Sequence, residues 1–437
     1  MRRTAGSRKG IAVAFGAALC LSACSQTGTP SATGGGGVPA STSPTAAGEP
    51  VRIGMLLPLT GRNMRLGQQM ANAAQLAVPT GHGAVLDVRD SDGAEGVAAA
   101  ARAAIGNGDR ILLGPLTAGQ TGEVAGLSTA AGIPELAFTS DAERGRSGVW
   151  VMGLTVDQQV VRLVSAAHAQ GRQHFAAFLP DSPLGHVMAQ RLNEACAANG
   201  LSAPNIAFHG SDLQSIADGL KTLSAFDDRQ KQVSAAATTP TPAAPDAVNP
   251  VSPDTNPPAN PGAPPATPPA NATPGPFPAP PFDALLLGDT GLQLANVING
   301  LKANRIDPSQ VRILGPALWE AFASKLGALH GAWFAAPDSA TRHGFVQQYR
   351  QHYGTAPTPL ADIAYDTAAM AGALARQPDG LTETSLMRPD GFAGVDGVFA
   401  LRSGGKVTRA LAIFEIGQNG GATIVQPAPK TLTQTPS

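Results

Sequence analysis

The chain has 437 residues, 43% of them apolar and only 14% charged, with 51 Gly, 38 Pro and a net charge of −1. That length holds two lobes with a sizeable core, and the near-neutral balance excludes a nucleic-acid binder working through a basic surface. The abundance of Pro and Gly predicts a folded α/β body joined to unstructured segments rich in Pro, Ala, Thr and Gly.

At the N-terminus, Arg2, Arg3, Arg8 and Lys9 precede an apolar run from Ile11 to Leu21 that is too short to span a bilayer as a stable helix. Residues 1–23 read as a secretion signal. The signal ends in Leu21-Ser22-Ala23-Cys24, which resembles the bacterial lipobox. The resemblance implies that Cys24 is lipidated and becomes the first mature residue; cleavage by the ordinary signal peptidase is the other reading. Ser25 rather than Asp after Cys24 resembles sorting to the outer membrane in Gram-negative bacteria. Loss of the signal shifts the net charge to about −5, and no basic cluster follows Cys24, so attachment to the membrane would rest on the acyl chains. Of the three cysteines Cys20 leaves with the signal and Cys196 stands alone in an Ala-rich helical stretch, which predicts a buried, inert thiol and no intramolecular disulfide. Residues 24–50 are Ser, Thr, Gly, Ala and Pro with almost no charge, a flexible tether with a reach of about 28 Å.

Val51 to Leu57 then forms the first strand, closed by a Pro58-Leu59-Thr60-Gly61 turn. Alternation follows: helix Arg65 to Val78, strand Ala84 to Asp90, helix Glu95 to Asn107, strand Arg110 to Leu113, helix Gly119 to Ala131 and strand Pro134 to Phe138. A second series has helix Val156 to Gln170, strand Phe175 to Leu179, helix Pro183 to Asn199, strand Ile206 to His209 and a helix from Ser215 to Gln232. A block of Pro, Ala, Thr and Asn at 234–281 reads as a disordered insertion. Beyond it come strand Ala284 to Leu287, helix Leu292 to Asn304, and strands Val311 to Leu314 and Ala332 to Ala335. Helices Ala340 to Tyr353 and Leu360 to Ala375 return to the first lobe, and Gly397 to Leu401 with Ala410 to Ile416 reads as an antiparallel hairpin. Strands joined by long helices imply right-handed crossovers, so the expected fold is α/β with two Rossmann-like lobes, parallel central sheets and a hinged cleft. The expected division is 51–152 and 338–395 for the first lobe, 153–233, 282–337 and 396–426 for the second, and 427–437 as a disordered tail.

No GxSxG, HExxH, P-loop, CxxC or complete GxGxxG is present, and the eight histidines lack metal-ligand spacing, so no enzyme, metal or cofactor is implied. Asp90-Ser91-Asp92-Gly93 imitates the start of a calcium loop without its later ligands and reads better as a helix N-cap. Ligand material sits at strand ends, where open α/β sheets bind. Thr60 and Gly61 close the first strand, Thr117 and Gly119 open a helix after Leu113, and Thr139 and Ser140 follow Phe138. Asp181 with Ser182, and Asp289 with Thr290, take equivalent places in the second lobe. Each pair also reads singly as a helix N-cap. Their recurrence is what points to a shared cleft.

Ile53 to Gly61 with Gly67, Leu113 to Thr117, Ala131-Gly132-Ile133-Pro134, Pro180 to Gly185, Leu314-Gly315-Pro316 and Ala364-Tyr365-Asp366 resemble, in order and spacing, the type 1 periplasmic binding proteins, the group with the leucine/isoleucine/valine receptors. The resemblance implies a cleft that also involves Tyr365. Gly331 to Asp338 and Gly391 to Gly397 are closest in kind to the penicillin-binding-protein activators, lipoproteins that stimulate peptidoglycan synthases. The best-known activators also carry an N-terminal helical-repeat domain, where this chain has only its short tether. In the amino-acid receptors the carboxylate and ammonium of the ligand are held at positions occupied here by Gly119 and Ala317, and an aromatic position is Leu184. A zwitterion stripped of water needs a counter-charge at its ammonium, which leaves Asp289 or Asp181 as substitutes. The expected partners are thus a membrane through the lipid anchor and either a peptidoglycan synthase or an ABC permease, with a small-molecule ligand open. The expected location is the cell envelope, facing the periplasm.

Overall fold

A computed structural model of the chain describes residues 49–79, 81, 83–238 and 277–432. The signal, Cys24, the tether up to residue 48, most of the Pro-rich block (239–276) and residues 433–437 lie outside the described residues.

The first lobe is built from β1 (Val51–Leu57), α1 (Met64–Ala77), β2 (Ala84–Asp90), α2 (Gly96–Gly106), β3 (Leu112–Leu113), α3 (Ala118–Ala130), β4 (Glu135–Ala137) and β5 (Val149–Val151). Its strands lie in the order β2-β1-β3-β4-β5 and all pair in parallel. Ile53, Met55, Leu57, Leu113 and Leu136 are fully buried, as near-continuous apolar runs covered by helices on both faces must be.

The chain then enters the second lobe through α4 (Val156–Ala169), whose first turn is closed by a capping box of Thr155 and Gln158. There follow β6 (Phe175–Pro180), α5 (Pro183–Ala198), β7 (Asn205–His209), α6 (Leu213–Leu223), α7 (Phe226–Thr238), β8 (Ala284–Leu287), α8 (Gly291–Ala303), β9 (Arg312–Gly315), a 3-10 segment (Ala317–Lys325) and β10 (Trp333–Ala336). The last part holds α9 (Ser339–Tyr353), α10 (Pro359–Ala375), α11 (Glu383–Leu386), β11 (Phe392–Gly394), β12 (Gly397–Leu401), β13 (Val407–Arg409), β14 (Ala412–Ile416) and β15 (Ala422–Gln426). The second sheet runs β15-β14-β10-β9-β8-β6-β7, parallel from β10 to β7, with β14 and β15 added antiparallel.

Helix α10 returns to the first lobe, where Ala364, Ala368, Met370 and Ala371 pack with Met70, Ala71 and Ala74 of α1 in one core. Small residues on both helices allow this close approach. A separate core of Phe178, Leu285, Leu287, Val297, Trp319 and Phe334 fills one face of the second sheet.

Four expectations change. The helix read from Ser215 to Gln232 is two helices, broken at Ala225, whose φ is 50°. The buried Arg229 guanidinium holds the break by donating to the carbonyls of Ser224, Pro278, Asn304 and Arg305. Helix α7 also runs on to Thr238, taking the first five residues of the block read as insertion from Ser234 onward. The hairpin partner of β12 is β13, not Ala410 to Ile416, because β14 joins the second sheet beside β10. Finally, 396–426 does not go wholly to the second lobe: β11, β12 and β13 form a small sheet of their own, and Phe399, Leu401 and Val407 lie in the first-lobe core.

Candidate ligand cleft

Strand order fixes where each lobe opens. From β1 the chain goes by α1 outward to β2, and from β2 by α2 back to β3 on the other side of β1, so the loops after β1 and β3 diverge. In the second sheet β6 leads to β7 on one side and β8 lies on the other, so the loops after β6 and β8 diverge in the same way. These two switch points form the crevices in which open α/β sheets take ligands. Thr60, Gly61 and Thr117 flank the first crevice, and Asp181, Ser182, Asp289 and Thr290 flank the second.

Each lobe closes the loop after its leading strand in the same way. A side chain on Gly67 of α1 would lie 2.0 Å from the Pro58 carbonyl oxygen, and one on Gly185 of α5 would lie 2.0 Å from that of Pro180. Only glycine lets each helix sit against its own strand-end turn.

In the first lobe the loop hydroxyls are spent on the loops themselves. Leu59 N and Asp92 N donate to Asp90 Oδ1 at 2.9 and 3.0 Å, and Thr60 Oγ1 donates to the Asp92 carbonyl at 3.1 Å. Burial pushes the Asp90 carboxyl up, but hydrogen bonds from Thr60, Leu59 and Asp92 outweigh it and hold it below the usual carboxylate range. Asp90 therefore pins the β1 turn, and the expected N-cap role of the Asp90 string is corrected: α2 begins after Glu95 with no side-chain cap bond. Thr117 caps α3 through Gln120 N at 3.4 Å, while Gln120 Nε2 reaches Asp92 Oδ1 at 2.7 Å. Gly119 and Ser140 are exposed, and buried Thr139 accepts from Asp141 N at 3.1 Å.

In the second lobe Ser182 caps α5 through Gly185 N at 3.1 Å, and exposed Asp181 pairs with exposed His186 at 2.9 Å. Thr290 sits at the head of α8 without a side-chain cap bond. Asp289 is 3% exposed, with Oδ2 3.2 Å from His209 Nε2, and its carbonyl accepts from Trp319 Nε1 at 3.0 Å. Burial pulls the His209 imidazole down, yet the contacts with Asp289 and with the Gly210 carbonyl, 2.8 Å from Nδ1, raise it above its ordinary value. Asp289 thus already has a partner in His209 and is buried with it.

At the positions that amino-acid receptors use, this chain offers little to a zwitterion. The Ala317 backbone N–H donates to Gln159 Oε1 at 2.8 Å, and Leu184 is exposed. Tyr365 is not brought to a strand end. It packs beside Phe345, with ring centroids 4.7 Å apart, next to Tyr349 and Val395, and burial, then the Asp366 charge, raises its phenol.

Two charged clusters were missed by the sequence reading. Asp366 accepts from Val395 N at 2.6 Å and Asp396 N at 3.2 Å, and burial, then the Asp396 charge, pushes its carboxyl up to about 7. Asp362 is gripped by Arg342 of α9, while burial still pushes it up to about 7. The Ala364-Tyr365-Asp366 string marked this region, but nothing local tied it to Asp396, 30 residues on. In the second cluster Arg191 of α5 reaches Glu143 of the first lobe at 2.9 Å, Asp157 of α4 at 2.7 Å and Glu194 at 2.7 Å. Among the described residues no group of three or more His, Cys, Asp or Glu is arranged to hold a metal ion, and no helix is long and apolar enough to cross a membrane.

Comparison with known proteins agrees with this architecture. Residues 50–244 match the family model of the periplasmic binding proteins. No curated protein matches the sequence. A structure from Rhodospirillum rubrum described as a branched-chain amino acid ABC transporter is similar at 18% identity and a TM-score of 0.61, over 86% of this chain and 100% of that one. The C-domain of LpoA from Haemophilus influenzae, a regulator of PBP1A, is similar at 15% identity and a TM-score of 0.57, over 86% of this chain and 99% of that domain. Against full-length LpoA from Haemophilus influenzae the identity is 16% and the TM-score 0.57, with 87% of this chain and 59% of that one covered. With its parallel-centred lobes, paired switch points and a family match over residues 50–244, this chain has the type 1 periplasmic binding protein fold.

Proposed function

We propose that this is a non-catalytic, lipid-anchored protein of the cell envelope, facing the periplasm and regulating peptidoglycan synthesis by docking to a penicillin-binding protein. The observation that carries the reading is the state of Asp289. An amino-acid receptor needs a carboxylate free to meet an ammonium in the cleft, and this carboxylate is buried against His209. Asp181 is bound to His186 on the surface, where water screens it. Gly119 offers no hydroxyl for a ligand carboxylate. The fold supplies a two-lobed body with a lip on each lobe, and the regulator of PBP1A among the similar structures supports its use as a docking module.

The second reading is a receptor that delivers a small solute to an ABC permease. It is favoured by exposed Ser140 and uncapped Thr290, two hydroxyls at strand ends that a small polar ligand could reach. Co-purification from crosslinked envelopes separates the two. Recovery of a bifunctional peptidoglycan synthase is the expected result, and recovery of a permease in its place overturns the proposal.

A further inference from the structure

The chain passes between its two lobes three times. It leaves the first sheet after β5, through 152–155, to α4. It leaves the second sheet after β10, through 337–338, to α9, whose Phe345 and Tyr349 share a core with Ala73 of α1. It leaves the first-lobe core after β13, through 410–411, to β14 of the second sheet.

Each passage reaches the turn at Val395-Asp396, between β11 and β12. Thr341, in the first turn of α9, donates through Oγ1 to the Val395 carbonyl at 2.6 Å. Buried Arg409, the last residue of β13, donates through Nη2 to the Met152 carbonyl at 3.1 Å, and its charge faces Asp366 and Asp396. Asp366 of α10 accepts from the N–H groups of both turn residues, and Gly394 leaves room for it, since a side chain there would lie 2.2 Å from Asp366 Oδ2. A change in the angle between the lobes has to bend these passages, and the turn is where the bending is felt.

The same turn closes a charged cluster. Asp362, Asp366 and Asp396 are 0%, 3% and 7% exposed. Arg342 of α9 grips Asp362, and Asp362 is in hydrogen-bonding contact with Asp396. Two carboxyl groups bond each other only with a proton between them, so the packed cluster holds at least one. Exposed Glu320, on the second-lobe segment Ala317–Lys325, lies within reach of the charges of Asp396 and Arg342, and the Tyr365 phenol faces Asp366. Fully ionised, these four acids outnumber the guanidinium groups of Arg342 and Arg409 by two. Burial above all raises the three aspartates, Asp366 to about 7, and desolvation, then the Asp396 charge, raises Glu320.

We propose that this cluster is a proton-operated hinge: with its proton bound the lobes close, and loss of the proton to solvent opens them. Deprotonation leaves Glu320 of the second lobe facing an ionised Asp396, and both ions gain water when the lobes part. Protonation removes that repulsion and leaves the Arg342 charge to draw Glu320 in. The device works in the same way whichever partner the cleft serves.

The test measures the distance between spin labels on α3 and α8 of the full chain from about pH 5 to about pH 8. The distance is expected to lengthen as pH rises, with its midpoint above the ordinary aspartate range. Glu320→Gln is expected to shrink that change about twofold or more, and Asp396→Asn, which keeps the backbone N–H that Asp366 accepts, to remove most of it. Glu320 is exposed, so its variant folds, which near-ultraviolet circular dichroism checks; if Asp396→Asn does not fold, Glu320→Gln decides alone. Glu143→Gln, at the other contact between the lobes, is expected to keep the pH dependence. A distance that ignores pH, or a change that persists in both hinge variants, overturns the proposal. So does a pH dependence lost in Glu143→Gln, which assigns the response to Arg191 and its acids.

Discussion

Asp289 and His209 face each other across the end of β6, with 3.2 Å between Oδ2 and Nε2 and both side chains buried. The pair ties the end of β7 to the loop after β8. Its cost in desolvation is recovered only while the partners stay together, so removing one is expected to leave a buried polar group unmatched.

Asp289→Asn is expected to destabilise the protein by about 3 kcal/mol at pH 5.5. The raised His209 value sets the sign: the pair's extra stability is fully present below the ordinary histidine range and is lost as pH rises through the folded value. Urea denaturation at pH 5.5 and pH 8.5 checks it. The loss is expected to shrink at the higher pH, and an equal loss at both would contradict the assignment.

The Asp366 carboxyl predicts the opposite behaviour of an acid. Raised to about 7, chiefly by burial, it favours the protonated form, so the native state is penalised progressively as pH climbs from the ordinary aspartate range toward 7. Asp366→Asn is expected to flatten the fall in stability over that window while changing little near pH 4. A constant offset between the two proteins at every pH would exclude this origin.

Gly185→Ala and Gly67→Ala test the matched helix-to-turn contacts. Each added methyl would meet a proline carbonyl at 2.0 Å, backbone that cannot rotate away. Each variant is expected to lose about 1–3 kcal/mol and to unfold at a lower temperature in calorimetry. Gly126→Ala, in open space inside α3, is the control and is expected to gain up to about 1 kcal/mol from helix propensity.

Arg191 links the lobes through Glu143. Glu143→Gln weakens that contact while leaving Asp157 and Glu194 in place, and it is expected to cost about 1 kcal/mol or less because Glu143 is exposed. The distance between spin labels on α3 and α8 is expected to lengthen or broaden in Glu143→Gln. An unchanged distribution would remove the latch from the account.

Much of the fold was legible because its signals are local. Buried runs such as Met55 to Leu57 and the caps at Thr117 and Ser182 mark strands and helix starts within a few residues. The hairpin of β12 was misjudged because Val407 to Arg409 is a short partner, while the more apolar Ala412 to Ile416 is claimed by β10, more than 70 residues earlier. For the site, the strand-end positions were readable, but the bonds made by their side chains were not. Asp289 looks like a free acid until His209, 80 residues away, is seen beside it.

The most direct test of the central claim, that this receptor fold has no working clamp for an amino-acid zwitterion, is calorimetric titration of the purified body with a panel of free amino acids and small amides. The account predicts no binding heat up to millimolar ligand. Micromolar binding of any free amino acid, lost in Asp289→Ala, would contradict it.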